Sequence, residues 1–270
     1  MHIDSGRFTI RLATSAEDVA AAQALRYRVF VEEMGAKPSP EEVALKRESD
    51  RFDTYCEHLL LIDNDAAPGK PDVVGVYRLL HSSVARGTEE EPGPGFYTAT
   101  EFDLSRLDDY DGEILELGRS CVDADYRGKS AMQLLWMGLS QYITVHDIRL
   151  MFGTASFHGT DLEPLAQPLS YLYHNHLAPE ELRTRTQPEH YVSLEQLPNE
   201  AVDPRVALRA IPPLIKGYLR LGGFVGDGAY VDRQFNTVDV CVLMDTAKIT
   251  ERHKKFYARR APDEIARILG

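Results

Sequence analysis

Residues 113–142 constrain this chain more than any other stretch, because they carry a strand into a long helix with only a short polar turn between. Residues 113–122 set Ile114, Leu115 and Leu117 among polar neighbours as a strand does, and residues 123–130 supply the turn. Ala131, Leu134, Leu135, Gly138, Leu139 and Tyr142 then fall at i, i+3, i+4, i+7, i+8 and i+11, one continuous helical face. A strand that feeds such a helix predicts a sheet with a helix laid against it.

The flanking sequence supplies the rest of that sheet. Ser15 and Asp18 have capping-box spacing ahead of Val19, Ala22, Leu25 and Val29, the stripe of an amphipathic helix on which Arg26 and Phe30 stand one turn apart. Past a polar stretch at residues 35–50, residues 58–62 and 73–80 read as strands, and Asn64-Asp65-Ala66-Ala67-Pro68-Gly69 gives them a hairpin turn. Residues 87–95 read as a solvated loop. Further strands are expected at 150–157, 229–235 and 238–244, with a helix at 213–221 closed by Gly222-Gly223 and a polar helix at 246–260. Residues 162–211 are rich in Pro, His and Glu and are expected to form an excursion outside the core. The expected fold class is α+β, a single domain with a mixed central sheet flanked by helices.

Composition removes several function classes. With 30 basic and 42 acidic side chains the net charge is −12, the wrong sign for a nucleic-acid binder, while 43% hydrophobic content supports a substantial core. The three cysteines, Cys56, Cys121 and Cys241, are widely spaced and form no CxxC, which points to reduced thiols and away from a disulfide framework or thiolate zinc site. No apolar run approaches the roughly 20 residues of a membrane span, and the opening residues lack the pattern of a leader. A cytoplasmic protein is expected. His158, His174 and His176 show no HExxH or related spacing, so no metal is expected.

The turn itself suits an anion, since a helix start exposes unpaired N–H groups and Arg127, Gly128 and Lys129 add charge and room for close approach. In this context it resembles the acyl-CoA-binding strand and loop of the GNAT acyltransferases, whose pattern is Arg/Gln-x-x-Gly-x-Gly/Ala. Arg127 fits the leading position, and Ser130 and Met132 replace the two small residues. A loop so crowded suits the single phosphodiester of a carrier-protein pantetheine better than the pyrophosphate of CoA. Downstream, Gly217-Tyr218-Leu219-Arg220-Leu221-Gly222-Gly223-Phe224 resembles the family's helix end and Gly-Phe turn before its last two strands. The resemblance implies a GNAT-like fold with Ser120, Cys121, Val122, Arg127, Gly128, Lys129, Ser130 and Ala131 on the acyl donor.

A second set of residues narrows this. Arg26-x-x-x-Phe30, Asp50-x-x-Asp53, Arg78 and Glu116-x-x-Arg119 resemble the signature of the acyl-homoserine-lactone synthases, except that Ala36 stands where those enzymes have tryptophan. Longer blocks are similar to the ornithine Nα-acyltransferases of bacterial ornithine-lipid synthesis: Leu25 through Ala36, Glu116 through Val122, Phe152-Gly153-Thr154-Ala155-Ser156-Phe157-His158-Gly159-Thr160-Asp161, and Arg233-Gln234-Phe235-Asn236-Thr237. That resemblance implies transfer of a 3-hydroxyacyl chain from acyl carrier protein to the α-amine of L-ornithine, giving lyso-ornithine lipid. No cofactor is implied beyond the pantetheine thioester as co-substrate.

Such chemistry needs a free amine, a proton acceptor and an oxyanion donor. Glu116 is the candidate base, and a backbone N–H near residues 120–122 the candidate oxyanion donor. Ornithine's carboxylate calls for an arginine, Arg28, Arg78 or Arg119, and its second ammonium for an acidic group, Asp50, Asp53 or Asp161. Arg26, Arg78 and Asp53 fit an internal salt-bridge network as well as they fit substrate contact, and Arg26 and Phe30 complete the expected acceptor site. Residues 246–260 hold six basic side chains against one acidic and are expected to dock acyl carrier protein or anionic lipid, with a peripheral position at the inner membrane face. The competing functions are acylation of another amino acid, such as glycine or tyrosine, and a non-catalytic module that binds carrier protein or lipid.

Overall fold

The computed structural model describes residues 1–69 and 71–246. Its first elements are two short strands with no counterpart in the sequence reading, β1 (His2–Ser5) and β2 (Phe8–Leu12), paired antiparallel across the left-handed Gly6. Helix α1 (Ala16–Arg26) starts at Ser15, whose hydroxyl accepts the Asp18 N–H. The Asp18 carboxylate does not close the box; it takes Arg11 and the Thr14 N–H instead. The helix widens into a π-helical stretch at Tyr27–Glu33, in which Tyr27 and Val29 remain buried and Phe30 is partly exposed. Within the polar stretch lies α2 (Pro40–Leu45), begun by a reciprocal capping box between Ser39 and Glu42.

Next come β3 (Glu57–Asp63) and β4 (Val73–His81), the expected hairpin, followed by α3 (Ser82–Arg86) and β5 (Phe102–Asp103). The expected strand and helix appear as β6 (Glu113–Val122) and α4 (Lys129–Val145). The chain continues through β7 (Ile148–His158), α5 (Ala166–His176), β8 (Arg185–Thr186), α6 (Pro204–Ala210), α7 (Pro213–Arg220), β9 (Phe224–Val225), β10 (Tyr230–Asp232) and β11 (Thr237–Asp245). The helix expected at 246–260 lies outside the described residues beyond Thr246, as does the Lys129 side chain. Among the described residues no helix is long and apolar enough to cross a membrane.

The described chain divides into two units, residues 1–94 with 117–148 and residues 95–116 with 149–246. In the first, the strand order is β1-β2-β3-β4-β6. Alternation along β3 explains its burial from His58 to Asp63: Leu60 and Ile62 join Ala22 and Leu25 of α1 and Val29 of the π-helical stretch, while Leu59 and Leu61 meet the α4 side through Gly138 and Leu135. The sheet is therefore covered on both faces.

In the second unit the order is β7-β11-β10, with β9 also on β11. Its core includes Phe102, Ile114, Phe152, Cys241 and Leu243 together with Ala178 and Leu182. Those last two correct the expectation for residues 162–211. The segment carries α5 and α6 and puts Leu169, Leu172, Leu194 and Ala207 in the interior while Val206 and Leu208 stay exposed, and apolar residues so sparse and irregularly spaced show no period from which that burial could be read. After α7, Gly222 at φ +92 turns the chain, and the Gly223 N–H closes on the Tyr218 carbonyl at 3.0 Å.

Gly138 gives a stability test. A glycine to alanine change inside a helix ordinarily gains about 0.5–1 kcal/mol. Here a Cβ would stand 2.5 Å from Ile10 Cγ2 and 3.3 Å from Leu59 Cδ1. Gly138→Ala should therefore destabilise, by about 1–3 kcal/mol, read as a lower urea midpoint.

Candidate active site

Five of the charged residues singled out along the first half of the chain, Arg26, Asp50, Asp53, Arg78 and Arg119, meet in one place. Arg26 has a side chain with 0% exposure, and it donates from Nε to Glu48 at 2.5 Å, from Nη1 to Asp53 at 2.8 Å, and from Nη2 to Asp53 and the Glu48 carbonyl at 2.7 Å each. Arg78 Nη1 reaches Asp50 at 2.6 Å and Asp53 at 3.0 Å. Arg119 reaches Glu48 at 3.1 Å and Asp50 at 3.0 Å. Three arginines thus face three carboxylates, and their formal charges cancel.

Local structure puts each group there. Arg26 ends α1, Arg78 lies on β4, and Asp50 receives the Phe52 N–H at 2.8 Å in the turn that presents both aspartates. Arg119 sits in β6 at φ +49, a left-handed backbone that costs a residue with a Cβ about 1–2 kcal/mol. Its pairs with Glu48 and Asp50 hold it in that conformation. Burial works against ionisation of Asp53, yet the hydrogen bonds and charge of Arg26, with Arg78, hold its carboxyl well below the usual range. Asp50 is likewise opposed by burial and lowered by Arg78 and Arg119. Burial lowers His58, whose ring packs beside this network and contacts the Asp53 carbonyl at 3.3 Å.

Not every expected acceptor residue joins. Arg26 is wholly enclosed by its carboxylates, so its geometry is that of the network's centre and not of a ligand contact. Phe30 packs at the edge of the α1 core cluster. Arg28 pairs with Asp123 at 3.2 Å, and exposed Asp161 accepts the Glu163 N–H at 3.1 Å as a turn cap in the second unit. Glu48 was not foreseen; it lies in a polar segment, and only the network reveals its partners. The edge open to solvent is Asp50, 22% exposed, beside Arg119 at 9%.

The turn expected to meet the donor is built from the end of β6. Ser120 Oγ is buried with no hydrogen-bond partner among the described residues, and Cys121 packs against α1. The Val122 carbonyl accepts Arg127 Nε at 3.0 Å, and the rest of that guanidinium holds both oxygens of Glu33. Gly128 is the N-cap of α4 with no side-chain cap, and Ser130 and buried Ala131 fall in its first turn. Met132 accepts the Tyr77 hydroxyl at 3.9 Å.

Glu116, at the other end of β6, is 4% exposed. Its carboxylate accepts the Tyr97 N–H at 3.1 Å and the Thr98 N–H at 2.6 Å, which anchors the short turn Thr98–Thr100. That turn leads to Glu101, whose carboxylate lies with those of Asp232 and Asp239 within 4.8 Å of one another. In the first unit Glu57, His81 and His146 are similarly close, and the Tyr142 hydroxyl bridges Glu57 and His81. These two sets are the described residues with the donor types to hold a metal. Burial pushes both Cys121 and Cys241 up to about 12, so neither is a thiolate at neutral pH.

The comparisons with known proteins agree with this architecture. A model of the acetyltransferase (GNAT) domain matches residues 25–137. FeeM, an N-acyl amino acid synthase from uncultured soil microbes, superposes with a TM-score of 0.51 over 92% of this chain and 97% of its own, at 10% identity, a likeness of fold. The protein is a GNAT-fold acyltransferase, a mixed sheet with flanking helices. An L-ornithine N(alpha)-acyltransferase from Rhodobacter capsulatus is 49% identical over 254 residues, 94% of this chain and 95% of that one. Another from Brucella abortus is 43% identical over 259 residues, 95% and 90% of the two chains. The chain belongs to the L-ornithine N(alpha)-acyltransferase family.

The network predicts an acid limit to stability. Because Asp50 and Asp53 are depressed in the fold, their contribution is fully present above their unfolded values near about 4 and is lost as pH falls toward the folded ones. Asp53→Asn should cost about 3–5 kcal/mol at neutral pH, since it leaves Arg26 underpaired in the interior. Urea midpoints followed downward from neutral pH should fall less steeply in the variant below about pH 4; parallel curves would assign the acid sensitivity elsewhere.

Proposed function

We propose that this protein transfers a 3-hydroxyacyl chain from acyl carrier protein to the α-amine of L-ornithine, forming lyso-ornithine lipid. The observation that carries the acceptor is 43–49% identity, over almost the whole chain, to proteins named for that acylation. The donor is argued from the turn. A CoA pyrophosphate would have to displace Glu33 from Arg127 and fit beside Ser130, whereas the single phosphodiester of a carrier-protein pantetheine asks less of the same groups. The thioester is a co-substrate, and no resident cofactor enters the reaction.

In the proposed step the α-amine attacks the thioester carbonyl, its surplus proton passes to Glu116 directly or through water, and the C–S bond breaks to release the pantetheine thiol with that proton. The Tyr97 and Thr98 N–H groups both donate to the Glu116 carboxylate and so fix the position of the proposed base. A backbone N–H at residues 120–122 polarises the carbonyl. Neutral, buried Cys121 and Cys241 support direct transfer without an acyl-cysteine. In the first unit the open edge of the charge network, Asp50 and Arg119, offers one charge of each sign, the complement of a zwitterion. An amphiphilic product and the basic composition of residues 246–260 support work at a membrane face with an acidic carrier protein.

Glu116→Gln should lower kcat by roughly 10²–10⁴, and the deficit should shrink as pH rises and the amine loses its proton in solution. A deficit independent of pH would mean that Glu116 only anchors the Tyr97–Thr98 turn. In the wild type, kcat/KM with 3-hydroxyacyl carrier protein should exceed that with the matching acyl-CoA; equal values would refute the donor assignment, and preference for glycine or tyrosine the acceptor.

A further inference from the structure

A group of side chains outside the proposed site carries the chemistry of a metal centre. One ring nitrogen from each of His81 and His146 and a carboxylate oxygen of Glu57 all lie within 4.8 Å of one another. No motif spacing announces this set, because its members come from three elements of the first unit. Glu57 opens β3, His81 ends β4 and His146 is the C-cap of α4.

Strand register and helix geometry explain the meeting. Glu57 stands opposite Leu79, and His81, two residues farther along β4, points to the same side of the sheet. That is the side α4 covers, since Leu59 and Leu61 alternate in phase with Glu57 and lie against Gly138 and Leu135. Tyr142 and His146 are four apart on α4, with their rings stacked at 4.2 Å between centroids, and the His146 N–H closes on the Tyr142 carbonyl at 3.0 Å. The His81 ring meets both, 5.4 Å from Tyr142 and 5.0 Å from His146, and its Nε2 stands 3.9 Å from Glu57. The hydroxyl of buried Tyr142 donates to Glu57 and is hydrogen-bonded to His81 Nε2, so one phenol steers two of the three groups toward the same point.

Two imidazoles and a carboxylate are a donor set for zinc with its fourth position left to water, and imidazole nitrogen selects against the oxygen-seeking Mg²⁺ and Ca²⁺. Zinc bonds of about 2.0–2.2 Å put the ligand atoms of a tetrahedron roughly 3.3 Å apart. From 4.8 Å the set has to close by roughly 1.5 Å at most. Glu57 and His146 are exposed, which allows that movement and gives an ion its path from solvent. The Tyr142 hydroxyl supplies the kind of supporting hydrogen bond that orients ligands around a metal.

We propose that Glu57, His81 and His146 bind one zinc ion, and that the ion fastens the end of α4 to β3 and β4. Its role is structural. Helix α4 runs 17 residues, about 25 Å, from the N-cap Gly128 at the turn expected to meet the donor to His146 at its other end. The sheet also lies between this site and the charge network, because His58 and Arg78, paired next to Glu57 and Leu79 in the register, turn to the opposite face.

The test is a calorimetric titration with ZnCl₂ of full-length, tag-free protein that has been stripped with EDTA and freed of the chelator. The wild type should bind one equivalent at this site, and free zinc at 100 times Kd should raise Tm by about 5 °C. His146→Ala and Glu57→Gln change exposed side chains and should each weaken binding by about 10²-fold or more, while Tyr142→Phe keeps the ring stack, loses the hydroxyl and should weaken it by about 10-fold. A wild type that takes up no zinc would overturn the assignment. So would His146 and Glu57 variants that bind as tightly as the wild type, which would put the ion elsewhere, for example on Glu101, Asp232 and Asp239, and so would Mg²⁺ or Ca²⁺ competing on equal terms with zinc. Stripped and zinc-loaded protein should transfer the acyl chain at the same rate; a rate that requires zinc would contradict the structural role.

Discussion

A guanidinium with no contact with water needs its charge and its N–H groups answered inside the protein, and here that demand falls on Arg26. Glu48 and Asp53 answer it, Asp53 is shared with Arg78, and Glu48 and Asp50 are shared with Arg119. The network therefore fixes the end of α1, the turn carrying the two aspartates, β4 and the bend of β6 as one body. Removing any member leaves its neighbours in the network underpaired in a buried setting, which is why the cost is expected to exceed that of a surface pair.

What the network positions is β6. Arg119, held at positive φ by two carboxylates, lies on this strand between Glu116 and the proposed donor-binding residues Ser120, Cys121 and Val122. A strand so fixed presents a carboxylate at one point and backbone N–H groups a few residues on, with spacing set by the pleat and not by mobile loops. Proton acceptance and carbonyl polarisation can then be divided along one element.

Much of this was legible from residue order. The strand at 113–122 agrees with β6 because period-two alternation survives without tertiary context, and α4 was clear because six positions keep one helical face. The arginines and aspartates of the network stood out as charges inside apolar segments. Other features had no local signal. β1 and β2 are too short for a pattern, and Glu48 is hidden among exposed charges. Residues 162–211 bury scattered leucines and alanines that no single period connects. The acidic cluster joins residues more than a hundred positions apart, and strand register alone brings Thr237 beside Asp232.

Lipid extracts of cells producing this chain test the central claim most directly by mass spectrometry. The account predicts new species with the mass of ornithine in amide linkage to a 3-hydroxyacyl chain, absent when Glu116→Gln is produced at the same level. Extracts without acyl-ornithine, or with the acyl chain on glycine or tyrosine instead, would contradict it.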